Sequence, residues 1–307
     1  MMAAVIVVCC EERAMARILG IGELLWDVFP HGNILGGAPA NFVFHCRQMG
    51  HPAMTVSRIG DDDLGREMLR ALSLRQNPAT LVQIDPARPT GTVQITMNGE
   101  AHSFAIVEEV AWDFLQPSKA LRTEAEASDA VCFGSLAQRN EVSRTTILDL
   151  VGLCRGLRLF DINLRQHFYS RLIIENSLKL ATALKLNDEE IVTLGELLEL
   201  KAEAPAAIAR SLIEGYQLDV VCVTRSSQGA MMVSPDRVVE HPGFTSKVAD
   251  TVGCGDAFSA VLVDGMLRGK DLYEICEHAN RVGAFVASQA GATPEWPDEL
   301  RRLVTGE

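Results

Sequence analysis

The feature that most restricts the fold is an alternation of short, mostly apolar runs with segments of helical period. Residues 18–21, 130–133, 157–160, 183–186 and 220–223 are such runs. Most are followed by turn or polar residues and then a helical pattern, as at 40–49 and 189–200. Short apolar runs read as strands buried on both faces. Buried strands alternating with helices predict an α/β fold, a mostly parallel central sheet covered by helices on either side. In such sheets ligands bind beyond the carboxyl ends of the strands, so the residues after each run are the first to inspect for function. Two stretches, about 24–36 and 91–107, break the alternation and read as extended. In the second, Val93, Ile95 and Met97 alternate with Gln94 and Thr96, and Asn98-Gly99 suits a tight hairpin turn. Together they predict a small β-sheet apart from the main one, suited to act as a lid.

A chain of 307 residues, 48 % hydrophobic and 22 % charged, is able to bury a sizeable core. Its 28 Lys and Arg against 40 Asp and Glu leave a net charge of −12, which speaks against nucleic acid or an anionic membrane as partner. An anionic ligand would need a local pocket of backbone N–H groups and cations. The eight cysteines include adjacent Cys9 and Cys10 but no CxxC or Cys/His pairing at zinc spacing, so reduced thiols in a cytoplasmic protein are expected. The N-terminal MMAAVIVVCC is apolar but too short to span a bilayer, has no basic lead, and is followed by Glu11 and Glu12. Residues 1–14 are therefore expected to be a disordered extension, with the folded domain over 15–307.

The sharpest local signal is Ala249-Asp250-Thr251-Val252-Gly253-Cys254-Gly255-Asp256-Ala257-Phe258. Two glycines in a turn let successive N–H groups point at one spot, and the small apolar run 257–267 reads as a helix. A helix N-terminus favours phosphate through its unpaired N–H groups and its dipole. Asp256 at the lip is able to accept a proton from an attacking alcohol, although spacing alone reads it equally as a helix N-cap. Beyond the run 157–160, alternation would put Asp161, Asn163 and Arg165 on one face. Taken singly, Asn187 reads as an N-cap, Asn41 as a helix-start residue and Asp27 as a turn acid.

Together the motifs resemble those of the PfkB/ribokinase-like carbohydrate kinases. The segment around Asp256 is similar to that family's DTxGAGD signature. Gly36-Gly37-Ala38-Pro39-Ala40-Asn41, with Arg58-Ile59-Gly60-Asp61-Asp62-Asp63-Leu64-Gly65, is similar to its N-terminal signature. The resemblance runs from about Ile18 to about Pro294 and implies a ribokinase-like three-layer fold. It implies that Asp256 is the base and that the N–H groups of Gly253, Cys254 and Gly255 form the anion hole for the transferred phosphoryl group. Asp27, Gly36, Gly37 and Asn41 would contact the sugar. Asp161, Asn163 and Arg165 resemble the DxNxR stretch of fructokinases and 2-keto-3-deoxygluconate kinases. Asn187 and Glu190 match the NxxE motif that acts on hydrated Mg²⁺ through water. Thr224 and Gly229 match the VTxGxxGA nucleotide loop, and Asn280 and Ala284 the helix beside the adenine, where core packing explains Ala284 equally well. The same resemblance implies ATP as co-substrate, Mg²⁺, a monovalent cation such as K⁺, and a homodimer through the lid.

Two positions depart from the family pattern. Ser226 stands where the nucleotide loop carries its first glycine, and a left-handed serine costs about 1–2 kcal/mol. Cys254 stands where relatives usually carry Ala. Thiols at helix N-termini are acidified, so a reactive thiol shielded by ATP is one expectation and a small residue in place of Ala the other. The stretches GELLWDVFP, GGAPANF and FDINLR, with His102-Ser103-Phe104 and Ala111-Trp112-Asp113, are most similar to the fructokinase branch. That implies transfer from MgATP to D-fructose, giving fructose 6-phosphate, with the lid excluding water. The rivals are a 2-keto-3-deoxygluconate kinase, using Arg165 or Arg88 for the substrate carboxylate, and a non-catalytic sugar-binding regulator. Retention of Asp256, both glycines and the Asn187/Glu190 pair speaks against the regulator.

Overall fold

The computed structural model describes residues 15–29, 32–98 and 101–306. Residues 1–14 and the Gly99 half of the expected Asn98-Gly99 turn lie outside that set. In chain order the first strands are β1 (Ile18–Ile21), β2 (Leu25–Phe29), β3 (Gly32–Gly36), β4 (Ala53–Gly60), β5 (Val82–Asp85), β6 (Gly91–Asn98) and β7 (Ala101–Ile106). The rest are β8 (Ala130–Phe133), β9 (Leu157–Asp161), β10 (Ala183–Asn187), β11 (Val220–Thr224), β12 (Ala230–Val233) and β13 (Val238–His241). Nine of them form one sheet in the order β13-β12-β11-β10-β9-β8-β1-β4-β5. The sheet is parallel from β11 to β5, and antiparallel pairing is confined to the β11–β12 and β12–β13 pairs at its edge.

Strand residues alternate between two cores because successive side chains point to opposite faces. Leu19, Ile21, Val131 and Phe133 enter one core, closed by Ile147, Leu150, Ile174, Ile191 and Leu212 of the helices on that side. Ile18, Ala130 and Cys132 enter the other, closed by Phe42 and Val43 of helix Ala38–Gln48 and by Val261 and Leu262 of helix Cys254–Leu267. The result is the expected three-layer α/β/α arrangement.

The two stretches that broke the alternation form the separate four-stranded sheet, in the order β3-β2-β6-β7. It is anchored by Leu24, Trp26 and Leu35 against Ile59, Met68 and Leu72, the last two from helix Asp63–Leu74. The Trp26 indole N–H donates to the Leu64 carbonyl at 3.0 Å. His102, Ser103 and Phe104 lie on β7, with their side chains outside the described part.

The strand order fixes where a site is able to form. From β1 the chain moves outward to β4 and β5, then returns to β8 on the other side of β1 before moving away through β9, β10 and β11. The crevice between the ends of β1 and β8 is the topological switch point, where open α/β sheets bind ligands. Among the described residues no helix is long and apolar enough to cross a membrane, and the six cysteines are free thiols.

Candidate active site

Two cavities meet above the carboxyl ends of the strands. The smaller, about 20 Å³, sits at the switch point and includes Glu23 after β1, Cys132 to Gly134 at the end of β8, Asp161, Asn163 and Asp256 in its lining. The larger, about 510 Å³, lies beyond β9, β10 and β11 and reaches Asn187, Glu190, Thr224, Gly229, Cys254 and Gly255. Asp161 and Asn163 line both.

Helix Cys254–Leu267 starts between them. Its N-cap, Gly253, is left-handed at φ 79°, and a Cβ there would lie 2.5 Å from the Ala292 carbonyl oxygen. Both facts require glycine. A Cβ on Gly255 would lie 2.9 Å from Lys185 Nζ, so the second glycine lets an ammonium group sit directly beneath the helix start. Asp256 is in the first turn and does not cap its own helix. It is half-buried, and its Oδ2 accepts the side-chain amide of Asn41 at 2.8 Å. Burial, and then the Asp161 charge, push its carboxyl up to about 6, while Asn41, Lys185 and Arg165 pull the other way. A carboxylate with that affinity for protons is suited to accept one near neutral pH.

Lys185 escaped notice in the sequence because it lies inside a run read as apolar. In parallel register with Asp161, it pairs with both carboxylate oxygens at 3.0 and 3.1 Å, and Ser259 Oγ donates to Asp161 Oδ2 at 2.6 Å. Burial alone would lower the Lys185 pKa, but Asp161 and Asp256 outweigh it and hold the ammonium at about 12. Asp161 is thus committed to Lys185 and Ser259. The expected single face for Asp161, Asn163 and Arg165 does not form, because β9 ends at Asp161 and Asn163 turns left-handed at φ 44°. All three nonetheless reach the large cleft, Arg165 from an exposed position.

On the small-sheet side, Asp27 is on β2 opposite Ile34, and burial raises its carboxyl pKa. A Cβ on Gly36 would come within 2.7 Å of Asp27 Oδ2, so Gly36 makes room for this acid. Gly37, at φ 116°, is the N-cap of helix Ala38–Gln48 and abuts the Glu23 carbonyl. Asn41, expected on the sugar, has its amide on Asp256. Arg88 is engaged at the surface, paired with Glu109 at 2.9 Å and stacked over Phe114. Asp113 is held by Arg139 at 2.7 Å beneath the small sheet, with the guanidinium over Trp112.

In the large cleft, Asn187 and Glu190 form a reciprocal cap. Asn187 Oδ1 accepts the N–H groups of Glu189 and Glu190, and Glu190 Oε2 accepts the Asn187 N–H at 2.8 Å. Glu190 Oε1 accepts the Leu164 N–H at 2.8 Å, and burial raises the carboxyl pKa. Among the described residues no cluster of three His, Cys, Asp or Glu would cage a metal. Oxygen donors without a cage fit an ion that keeps its waters and arrives with phosphate.

Ser226 adopts the left-handed backbone expected of the glycine it replaces, at φ 49°, and Gly229 follows at φ 80°. Asn280 lines the cleft, but its amide donates back to the Cys276 carbonyl at 2.7 Å, and Ala284 lines it too. The acidified thiol expected at Cys254 is corrected. Burial, with Asp250 and Asp256 nearby, pushes it up to about 11, which leaves the small residue in place of Ala as the reading that fits.

A family model described as pfkB family carbohydrate kinase matches residues 23–299. A fructokinase of Klebsiella pneumoniae is 30 % identical, covering 93 % of this chain and 98 % of its own. A fructokinase of Escherichia coli is 27 % identical, covering 92 % and 96 %. Among solved structures, a sugar kinase of Pyrococcus horikoshii in complex with ATP is 26 % identical with a TM-score of 0.78, covering 94 % and 99 %. A fructokinase of Vibrio cholerae O395 bound to fructose, ADP and potassium ion has a TM-score of 0.80 at 23 % identity, covering 96 % and 100 %, a likeness of fold.

Proposed function

The chain belongs to the pfkB family of carbohydrate kinases, and we propose that it transfers the γ-phosphoryl group of MgATP to the hydroxymethyl group of D-fructose, giving fructose 6-phosphate. One observation carries the reading: Asp256 faces the small cavity while its neighbours Gly255 and Cys254 line the large cleft, with Lys185 beneath them. A sugar hydroxyl on one side and a phosphate chain on the other would meet at Asp256. The two fructokinases at 27 % and 30 % identity support fructose as acceptor, and the ATP complex of the archaeal relative supports ATP as donor.

In this reading Asn41 aims the Asp256 carboxylate at the attacking hydroxyl, and Asp256 takes its proton as the oxygen reaches phosphorus. The first N–H groups of helix Cys254–Leu267 and the Lys185 ammonium hold the charge that builds on the phosphoryl oxygens. Asp27, with Gly36 making room for it, and Asn163 would orient the sugar, and Arg165 would pair with a phosphate or substrate oxygen. Asn187 and Glu190 would hold hydrated Mg²⁺ through its waters, and the ion when bound supplies neutralising charge at the phosphates. Thr224, Gly229 and Asn280 would line the nucleotide. In this reading the small sheet is the lid, and its closure over the bound sugar would exclude water.

A coupled ADP-release assay with fructose, 2-keto-3-deoxygluconate, ribose and adenosine, in KCl and in NaCl, tests the substrate. Fructose should give the highest kcat/KM. Preference for the keto acid would move the assignment to Arg165 and that substrate, and sugar binding without ADP release would make the protein a regulator.

A further inference from the structure

Glu23 lines the small cavity beside Asp256 and was passed over in the sequence, although it stands two residues beyond β1. It is 5 % exposed, and among the described residues it has no ion pair. Its Oε1 accepts the Ala38 N–H at 3.3 Å. That N–H opens helix Ala38–Gln48, whose N-cap Gly37 has no side chain to satisfy it. Glu23 therefore caps this helix from the loop after β1, whose backbone abuts Gly37. Three residues further along, the same helix presents Asn41, whose amide holds Asp256.

We propose that Glu23 is a positioning residue for phosphoryl transfer, fixing the start of the helix that aims Asn41 at the Asp256 base. The inference rests on Asp256 being that base. Several charges face the Asp256–Glu23 pair: Asp161 from β9 with Lys185 from β10, and Arg165 from the loop after β9. The Cys132 thiol of β8 lines the same cavity. The Asn41 hydrogen bond favours the charged form of Asp256. If Glu23 slackens, that bond weakens and the base becomes harder to ionise.

The test compares Glu23→Gln with Glu23→Met. Both remove the charge, but only Gln keeps an oxygen for the Ala38 N–H. Glu23→Met should lower kcat about tenfold relative to Glu23→Gln while the KM for ATP stays within about threefold. Its acid limb of kcat against pH should lie about half a unit higher. Equal kcat and equal limbs in the two variants would overturn the proposal. If Glu23→Met does not fold, Glu23→Ala carries the same comparison. A carboxyl-carbon NMR titration of Asp256 in both variants, with no substrate present, reads the same shift. It separates failure of this inference from failure of the kinase reading, because a displaced midpoint needs no turnover.

Discussion

Replacing Asp256 with Asn should make the protein more stable, and only where the native carboxyl would be charged. Burial raises that carboxyl from its ordinary 3.8 to about 6. A rise of about two units at about 1.4 kcal/mol each places the cost of the buried charge at about 3 kcal/mol. The sign follows from proton linkage: the folded state binds this proton more tightly than the unfolded chain does. The cost is absent below the unfolded value near 3.8, grows between 3.8 and about 6, and is complete above it. Asn keeps the shape and an oxygen that accepts the Asn41 amide, so the substitution removes the charge and leaves that hydrogen bond. For a chain of this size about 3 kcal/mol is worth about 5 °C in melting temperature. Thermal unfolding of wild type and Asp256→Asn at pH 8 should show that gain, falling to about half at pH 5. A mutant no more stable than wild type at pH 8, or a gain independent of pH, would refute the reasoning.

Ser226→Gly relieves a left-handed serine and should stabilise the fold by about 1 kcal/mol, read as a shift in denaturant midpoint without a change in slope. Lys185→Met leaves Asp161 buried and unpaired, so it should cost about 3–5 kcal/mol of stability and lower kcat/KM by about 10²-fold or more. Adding Asp161→Asn should recover much of that stability but not the activity, which separates the cation's two roles by thermal melts and kinetics. Cys254 should alkylate more slowly than a free thiol model at pH 8, since its pKa is held at about 11, and mass spectrometry of timed samples reads the rate.

The central strands were legible because each is largely buried and appears in the sequence as a short, mostly apolar run, interrupted by a charge only at Arg158 and Lys185. β1 and β8 coincide with runs 18–21 and 130–133, and β9, β10 and β11 each extend one residue further. β4, β5, β12 and β13 were not read. β4 carries Ser57 and Arg58 within it, and β5 and β13 are short and half-exposed, so neither leaves a clean period. Helix Ala38–Gln48 starts earlier than the apolar pattern at 40–49 because Pro39 suits the first turn.

The Asp256 turn announced itself through its glycines, whereas the groups that tune it did not. Asn41 lies 215 residues from Asp256, and only folding shows that its amide holds the carboxylate. Lys185 had a usable signal, a lysine within a buried-strand run whose parallel neighbour ends in an aspartate. Glu23 had one too, as the first ionisable residue beyond a strand. At Cys254 the dipole argument considered the helix alone, whereas burial beside two carboxylates pushes the thiol up, and local sequence shows neither.

The most direct test of the central claim is the turnover of fructose with MgATP at pH 7 by Asp256→Asn, with ATP affinity measured in parallel by calorimetry. The account predicts a folded variant that binds ATP within about threefold of wild type while kcat falls by about 10²–10⁴-fold. A variant that binds ATP and turns over fructose at the wild-type rate would contradict it.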